Sequence, residues 1–355
     1  MKYGLMDYEY GKNKYFVDVN FGDEIQSIAA SNFLPKIDYF IDRENITEKI
    51  DINDKIKLIM NGWYMHNQEQ WPPADNIVPL LISMHIVPSK KKFIENIFSE
   101  RNREYLLSFG PIGTRDLGTL ELFEKNNIPA YFSGCLTLTL NKNKLIKKQD
   151  YILCVDVKDD LVRAIKKQTK RKVICISPVF KYPIFNKYDK FKYAFKFLEA
   201  YQSAAAVITS RLHAAMPCLA LETPVLLIDD SNGEDQRFWG LNKLVRNIST
   251  NKYISNLDFF DLNNIKENSK EYLHYRAKLI NSCEKFIGSK QQEISPLYKI
   301  YNKEEENVQN LEILTNITKK SSKESVLYRF KTNELIKYAI KRKIYKQKNK
   351  KYYYK

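Results

Sequence analysis

Cysteine is scarce in this sequence and is not arranged for metal binding. The chain has five cysteines in 355 residues, an odd number, and no two of them stand at C-x-x-C spacing. Most lie in apolar segments, where a thiol usually serves as a small core side chain. We therefore expect neither disulfide bonds nor a structural zinc site. The five are Cys135, Cys154, Cys175, Cys218 and Cys283.

A long uninterrupted apolar run is also missing. The longest apolar stretch, IVPLLISMHIVP, is too short and too interrupted by proline to span a bilayer. The first residues, MKYGLMDYEYGKNKYF, contain no apolar signal region. These absences predict a cytoplasmic protein.

Positive charge is plentiful but unevenly placed. The net charge is +16, and residues 329–355 hold eleven Lys or Arg against one acid, Glu334, which gives +10 of that total. The charge is therefore poor evidence that the folded part binds nucleic acid, and no helix-turn-helix, zinc or RNA-binding signature accompanies it. We expect no nucleic-acid partner. A nucleic-acid-binding protein recruited through its basic tail is the alternative from a different functional class.

The basic tail itself predicts contact with a membrane surface. Between Lys341 and Lys355, basic residues are interleaved with Ile and Tyr. On an anionic membrane each basic residue contributes about 1 kcal/mol of binding free energy. The segment thus predicts peripheral attachment to the inner membrane face; a disordered, solubilising end is the alternative.

The chain does contain an alternation of apolar and helix-forming segments. Strand-like runs such as KIKLIMNGWYMHN and YILCVDV alternate with helical runs such as KFKYAFKFLEAYQSA. This order predicts α/β architecture with mainly parallel sheets covered by helices. We expect two Rossmann-like, doubly wound domains that face a cleft, at residues 1–145 and 146–300, followed by a charged linker and basic tail at 301–355.

Local boundaries follow from the same patterns. The N-terminal half predicts a tight Asn-Phe-Gly-Asp turn and a helix from about Glu24 to Asn32. The run SKKKFIENIFSERNREYLLSFG predicts one helix. Thr114 fits the N-cap of the next helix, with Arg115 and Asp116 in its first turn, and PAYFSGCLTLTL predicts the strand that follows.

Two charged or titratable side chains interrupt the apolar run AAAVITSRLHAAMPCLALETPVLLIDD. Ser210, Arg211 and His213 fall between a predicted strand and a predicted helix. Ligands of parallel sheets bind beyond the carboxyl ends of the strands, and Arg211 beside free helix amides suits a carboxylate or phosphate. His213 can donate a proton near neutral pH. The alternative is that Arg211 pairs with an acid and His213 caps the helix.

The segment GPIGTRDLGT repeats this design in the first half of the chain. Arginine at a helix start is unfavourable for the helix dipole, so Arg115 indicates either an anion ligand or simple pairing with Asp116. The segment is not a Walker-type phosphate loop, because the Lys-Ser/Thr end is missing.

Other candidate site residues are less specific for one chemical role. His66 and His85 could line the cleft beside Trp63 and Trp71, whose rings suit stacking on sugars; core or capping roles are the alternative. The segment SNGEDQRFWGL follows a predicted strand and is either an acceptor-binding loop or a solvated one.

Three stretches together resemble the polysaccharide pyruvyl transferase family. They are NFGDEIQS, PIGTRDLGTLELFEKNNIPAYFSGCLTLTL and VITSRLHAAMPCLALETPVLLI, and the likeness extends over most of the chain up to about residue 250. The most specific part is the Ser-Arg-Leu-His run followed by a small-residue helix and Thr-Pro.

The resemblance implies a GT-B-like fold and transfer of a pyruvyl group from phosphoenolpyruvate to a hydroxyl of a cell-surface polysaccharide or its lipid-linked precursor, forming a ketal. It implies Arg211 and His213 as catalytic residues and Arg115 as the residue that completes the anion pocket, with no metal and no cofactor. The other expected substrate-binding residues are Ser210, Asn20, Gly22, Asp23, His85, Ser133 and Gly134.

The residue types agree with this chemistry. C3 of the enol must gain a proton, C2 must accept a sugar hydroxyl, and phosphate must leave; an acid and guanidinium groups can serve that path. A GT-B-like glycosyltransferase that uses a nucleotide sugar is the alternative among enzymes, since fold alone does not choose between them. A donor pocket of this kind that acts on a substrate other than a polysaccharide is the third possibility.

Overall fold

The computed structural model describes residues 1–8, 19–50, 53–180 and 187–301, together with Leu311, residues 314–316 and Thr318. The predicted membrane-binding tail between Lys341 and Lys355 lies outside the described residues, as does most of the linker before it. No helix within these described ranges is both long and apolar enough to cross a membrane.

Parallel strands build two separate sheets. The first has the order β3-β1-β4-β5-β6-β7 and the second β13-β12-β11-β8-β9, and the strand pairs in both are parallel. The strands are β1 Lys2–Asp7, β2 Val19–Asn20, β3 Tyr39–Asp42, β4 Ile56–Tyr64, β5 Ile77–Ile86, β6 Ile112–Thr114, β7 Ala130–Phe132, β8 Tyr151–Val155, β9 Lys172–Ile176, β10 Val179–Phe180, β11 Ala206–Thr209, β12 Val225–Ile228 and β13 Arg246–Ile248.

Helices connect most of the strands, which confirms the predicted α/β class with two Rossmann-like halves. They are α1 Phe21–Ser31, α2 Lys91–Ile97, α3 Glu100–Ser108, α4 Leu117–Lys125, α5 Asp159–Gln168, α6 Lys187–Ser203, α7 Leu212–Ala220, α8 Thr250–Ser255, α9 Tyr272–Ile287 and α10 Pro296–Tyr301. The first sheet ends at Phe132 and the second begins at Tyr151, and the predicted domain boundary at residue 145 falls between them. That boundary stays a prediction.

Apolar side chains form a core between the two sheets and a further core on the outer face of each. Side chains alternate along a strand, so Leu153 and Val155 of β8 join the central core, whereas Ile152 and Cys154 join the outer core with α5. The outer core of the first sheet packs against α2, α3 and α4. Helices α1, α6 and α7 fill the central core between the two sheets, which both halves therefore share.

Polar contacts also join the halves near β1 and α1. Strands β2 and β10 pair antiparallel, and the Phe21 amide donates to the Pro178 carbonyl at 2.9 Å. The buried ammonium of Lys190 on α6 contacts the Asp7 carboxylate at the end of β1. An ion pair removed from water is strong only when hydrogen bonds complete it, and Lys190 also donates to the Tyr8 carbonyl at 2.6 Å.

Helix α1 begins earlier than the sequence patterns predict. It starts at Phe21 and ends at Ser31, so the predicted Asn-Phe-Gly-Asp turn and the predicted start near Glu24 are wrong. Asn20 is the N-cap, and its side chain accepts a hydrogen bond from the Gly22 amide at 3.2 Å. Every residue of the helix is buried, which explains why periodicity marked its start poorly.

Three further boundaries differ from the predictions. The run expected to form one helix forms two, α2 and α3. Thr114 is not an N-cap, because pairing with Phe132 makes it the last residue of β6, and Asp116 caps α4 instead. The strand after α4 is short: β7 ends at Phe132, and residues 136–139 form a 3-10 helix.

Candidate functional site

A cavity of 340 Å³ lies at the carboxyl ends of strands from both sheets. This is where parallel sheets bind ligands. Four of its residues are basic and one is a carboxylate, so the cavity favours an anion. It is lined by Asn20, Gly22, Asp23, Trp63, His66, His85, Val87, Lys90, Arg115, Pro178, Arg211, Leu212, His213 and Arg237.

Arg211 lies at the junction between β11 and α7, as the sequence predicts. It is the N-cap of α7 and has an extended backbone, and its amide donates to the Thr209 hydroxyl at 2.9 Å. Its Nε donates to Oδ2 of Asp156 at 2.6 Å, so the predicted pairing with an acid is present. The side chain is nevertheless 41% exposed and lines the cavity. Pairing and anion binding are thus compatible here, because a guanidinium has five donors.

His213 sits at a kink in the first turn of α7, where its φ of −83° and ψ of 21° are not helical. Gly22 lies against it: a Cβ on Gly22 would be 3.0 Å from Nδ1 of His213. Its Nε2 is buried and has no hydrogen-bond partner among the described residues. A buried, unpartnered ring nitrogen beside a cavity is available to a ligand.

Burial lowers the pKa of His213 well below its usual value of 6.5, and the neighbouring Arg115 and Arg237 lower it further. The ring of the ligand-free protein is therefore neutral at pH 7. An anion bound against the same arginines would oppose their effect and favour the imidazolium form.

Arg115 follows β6 and is buried, with 2% of its surface exposed. Its amide donates to the Met84 carbonyl at 2.7 Å, which fixes the backbone against β5. Its Nε lies 3.7 Å from Oδ2 of Asp116, too far for a hydrogen bond. That Nε has no hydrogen-bond partner in the described part of the chain. The predicted pairing with Asp116 is thus weak, and the guanidinium lines the cavity.

Asp116 instead makes its short contacts with two other side chains. Nδ1 of His85 lies 2.6 Å from Oδ2, and Oδ1 accepts from the Thr119 amide and the Thr119 hydroxyl, both at 2.9 Å. His85, at the end of β5, is 2% exposed and lines the cavity, so its predicted position in the cleft is correct.

Arg237 is the guanidinium that sequence reasoning did not single out. It follows β12 in the segment 231–241, where its Nε donates to Oδ1 of Asp235 at 2.9 Å. Its guanidinium lines the cavity, although the side chain is 57% exposed. The sequence marks this segment as a candidate but gives no sign of the arginine, which pairs with its near neighbour Asp235 as an ordinary surface residue does.

The position of Arg237 depends on contact between the two halves. The carbonyl of Trp239 accepts a hydrogen bond from the Leu117 amide at 3.1 Å, at the start of α4. Gly118 makes room for this approach, because a Cβ there would lie 2.9 Å from Oε1 of Gln236. A segment of the second half thus lies on the helix that follows Arg115.

Residues of α1, of β4 and of the segment after β4 also line the cavity. Asp23 is buried, and burial raises the pKa of its carboxyl. The rings of Trp63 and His66 meet edge to face, with centroids 4.6 Å apart, and burial lowers the pKa of His66 to about 4. Trp71, predicted to lie beside them, is instead a core residue that packs on Phe93.

Three of the predicted substrate-binding residues lie outside the set that lines the cavity. Ser133 accepts from the Ser83 amide at 3.2 Å, and the Gly134 carbonyl accepts from the Ser83 hydroxyl at 2.7 Å. Ser210 donates to the Asp156 carbonyl at 2.5 Å. These contacts hold the loops that carry Arg115 and Arg211. Direct contact of the three with substrate stays a prediction.

A second cavity, of 400 Å³, lies where the segment 140–146 meets α6 and α10. It is lined mainly by apolar side chains, among them Ile28, Phe195 and Leu198, and holds none of the predicted site residues. The described ranges contain no group of three or more His, Cys, Asp or Glu side chains that could hold a metal ion.

Comparison with curated sequences and with solved structures gives only remote likenesses. No curated protein sequence matches this chain. Thirteen chains of solved structures match. An uncharacterised protein from Klebsiella pneumoniae subsp. pneumoniae is 12% identical, with 70% of this chain and 93% of that one covered and a TM-score of 0.40. The UDP-GlcNAc 2-epimerase of Methanocaldococcus jannaschii, in complex with UDP-GlcNAc and UDP, is 12% identical, with 79% and 98% covered and a TM-score of 0.38. Likenesses this remote carry no functional argument.

The sequence profile of the polysaccharide pyruvyl transferase family, by contrast, matches residues 20–232, more than half of the chain. The matched span begins at the N-cap of α1 and includes Arg115, Arg211 and His213, which share one cavity in the structure. The chain belongs to the polysaccharide pyruvyl transferase family.

Proposed function

We propose that this protein transfers a pyruvyl group from phosphoenolpyruvate to a hydroxyl of a cell-surface polysaccharide or its lipid-linked precursor, and forms a ketal. One observation carries the proposal. Three guanidinium groups, from Arg115, Arg211 and Arg237, line the same cavity as a histidine whose Nε2 has no hydrogen-bond partner in the described chain. Phosphoenolpyruvate is a small molecule with a carboxylate and a phosphate, and guanidinium groups bind both in bidentate fashion.

Arg115 and Arg211 hold the carboxylate and phosphate of the donor, and Arg237 adds a third positive group. His213 then gives a proton to C3. The charge that develops as phosphate leaves is stabilised by guanidinium groups already in place, and such preorganised charge is a large source of rate acceleration.

The acceptor lies on the side of the cavity that the first half of the chain supplies. Asn20 and Asp23 offer hydrogen-bonding groups there, and Trp63 offers a partly exposed ring edge beside them. We thus assign acceptor recognition to the first half and most of the donor chemistry to the second, and Arg115 is the donor-binding residue that the first half contributes.

The proposal is tested by isothermal titration of phosphoenolpyruvate, without added metal, into the parent protein and into Arg211→Ala. We expect the parent to bind and the variant to bind at least about tenfold more weakly, because a charge-assisted contact of roughly 1.5–3 kcal/mol is lost. Arg163→Ala is the matched control, since Arg163 is exposed on α5 and lies outside the cavity.

Failure of the parent to bind phosphoenolpyruvate would count against the donor assignment. Uridine and guanosine nucleotide sugars are then titrated into the same sample. Binding of one of these would support a glycosyltransferase and replace the pyruvyl donor.

Peripheral attachment to the inner membrane face is proposed for the tail between Lys341 and Lys355, which lies outside the described residues. Removal of residues 326–355 and co-sedimentation with anionic liposomes at two salt concentrations tests it. We expect the full chain to sediment at low salt and much less at high salt, because surface charge attraction is screened. Equal partitioning of the full and shortened chains would remove the membrane from the proposal.

A further inference from the structure

His85 and Asp116 form a buried pair in the wall of the cavity. The two side chains are 2% and 0% exposed, and Nδ1 of His85 lies 2.6 Å from Oδ2 of Asp116. The second ring nitrogen of His85, Nε2, is buried and has no hydrogen-bond partner among the described residues. Nothing in the donor assignment uses this pair.

The contact fixes which nitrogen of His85 carries the proton. Burial raises the pKa of the Asp116 carboxyl, but the hydrogen bond from His85 and the charge of Arg115 outweigh it, so Asp116 stays ionised. An ionised carboxylate only accepts hydrogen bonds, so Nδ1 must donate. In the neutral ring, Nε2 then carries the lone pair.

The surroundings of His85 keep its ring neutral in the ligand-free protein. Burial lowers the pKa of His85, as does Arg115, while Asp116 opposes them and Arg237 adds to the lowering. His85 and His213 also interact electrostatically, and the remaining titratable groups that line the cavity are Asp23, His66, Lys90 and Arg211. A neutral ring that lines the cavity and has an unpartnered lone pair on Nε2 can accept a proton, and the Asp116 carboxylate bound to Nδ1 stabilises the cation that results.

We propose that His85, positioned by Asp116, is the general base that removes the proton from the acceptor hydroxyl, while His213 protonates the donor. This inference rests on the proposed pyruvyl transfer. The two histidines then differ in role because their Nδ1 atoms have different neighbours. Nδ1 of His85 contacts the Asp116 carboxylate, whereas Nδ1 of His213 lies beside Gly22.

The proton balance of ketal formation closes when two such groups act. The first hydroxyl oxygen bonds to C2 and its proton passes to Nε2 of His85, while C3 receives a proton from His213. The second hydroxyl oxygen then bonds to C2, the C2–O bond to phosphate breaks, and phosphate leaves with its electron pair. The proton of the second hydroxyl leaves with phosphate, and the proton taken by His85 returns through solvent to His213, so that of the two hydroxyl protons one ends on C3 and one on phosphate.

The tautomer is measured without any acceptor. The chain contains four histidines, so the full-length protein labelled with ¹⁵N-histidine gives few signals, and His85→Gln identifies those of His85. We expect protonated Nδ1 and unprotonated Nε2 at pH 7 in the parent. In Asp116→Asn the tautomer protonated at Nε2 should become detectable, either as the dominant form or in a mixture with the tautomer protonated at Nδ1. A parent spectrum with Nε2 protonated would overturn the proposal.

Turnover is measured as phosphate released from phosphoenolpyruvate in the presence of a panel of nitrophenyl glycosides. His85→Gln should lose about 10²- to 10⁴-fold in kcat with phosphoenolpyruvate affinity changed less than about threefold, as expected for loss of a general base. Asp116→Asn keeps a good N-cap for α4, so it should remain folded and still lose on the order of 10²-fold. His274→Gln, on exposed α9, should match the parent.

The pH profile separates a base from a structural residue. Parent kcat/KM should fall on the acid side as His85 becomes protonated, and His85→Gln should lack that fall. Turnover of His85→Gln within twofold of the parent, or an unchanged acid limb, would overturn the inference while leaving pyruvyl transfer intact. If the parent itself neither binds phosphoenolpyruvate nor releases phosphate, the proposed function fails, and the base assignment fails with it.

Discussion

The two strand-to-helix junctions that carry Arg115 and Arg211 use the same local design in different surroundings. Each arginine follows a parallel strand and precedes a helix. The side chain of Arg115 is 3% exposed and has only a distant carboxylate, whereas that of Arg211 is 41% exposed and makes a 2.6 Å contact with Asp156. One junction holds a charge inside the protein; the other holds it at the surface.

This difference gives the two guanidinium groups different freedom to move when a ligand binds. A buried guanidinium cannot move far and has lost most of its hydration, so an anion that reaches it gains a strong contact. A half-exposed guanidinium retains water and can follow the ligand. The site therefore combines one fixed arginine with two more exposed ones, Arg211 and Arg237.

The largest expected effect on turnover comes from a substitution at the junction that carries Arg211. His213→Gln should lower kcat by about 10²- to 10⁴-fold, because it removes the proposed proton donor to C3 but keeps a side chain of similar size. Phosphoenolpyruvate affinity should change little. Phosphate release and calorimetric titration check the two parts, and normal turnover in the variant would remove His213 from the mechanism.

The next effect compares the two arginines directly. Arg115→Met should abolish donor binding and yet stabilise the ligand-free protein by about 1 kcal/mol, since an apolar side chain replaces a poorly paired buried charge. Arg211→Met should also weaken donor binding but leave the thermal midpoint almost unchanged, as expected for an exposed ion pair. Differential scanning calorimetry checks this, and a lower midpoint for Arg115→Met would show that its charge is well compensated.

A smaller effect concerns protons taken up on binding. The pKa of His213 is lowered by burial and by cationic neighbours, so an anionic ligand should raise it and draw a proton from the buffer. We expect the binding enthalpy of phosphoenolpyruvate to differ between PIPES and Tris, and donor affinity to fall as pH rises from the lowered pKa of the free His213 ring to the higher pKa of the ligand-bound ring. His213→Gln supplies the baseline for protons exchanged by the donor itself. The same buffer dependence in both proteins would contradict the assignment.

The smallest effect is at Gly22, where α1 meets His213. Gly22→Ala places a Cβ 3.0 Å from Nδ1 of His213, so the ring must shift slightly. We expect kcat to fall about threefold to tenfold. Stability should stay nearly constant, because the gain of about 1 kcal/mol in helix propensity opposes the crowding. A thermal melt and a turnover assay together check this, and unchanged kcat would show that the position of His213 is not critical.

The sequence predicted the central strands and the Arg211 junction because both depend on local pattern. Buried parallel strands are continuous apolar runs, and a charged pair between two such runs is conspicuous. Thr114 and Asp116 are both good N-caps, and only the pairing of Thr114 with Phe132 across the sheet decides between them.

The contact of His85 with Asp116 could not be predicted from the sequence. It joins residues 31 positions apart on separate elements, and no local pattern marks it. Arg237 was missed because the close approach of Gln236 to Gly118 places it, and that approach is tertiary.

The core shared by the two sheets has a consequence for how the protein can be divided. A cut between β7 and β8 would leave each fragment with one wholly apolar sheet face in water, together with helices that have lost their second partner. We expect neither fragment to fold on its own. The two halves therefore cannot be exchanged between relatives as separate modules, and a new substrate specificity has to arise by substitution within one continuous folding unit.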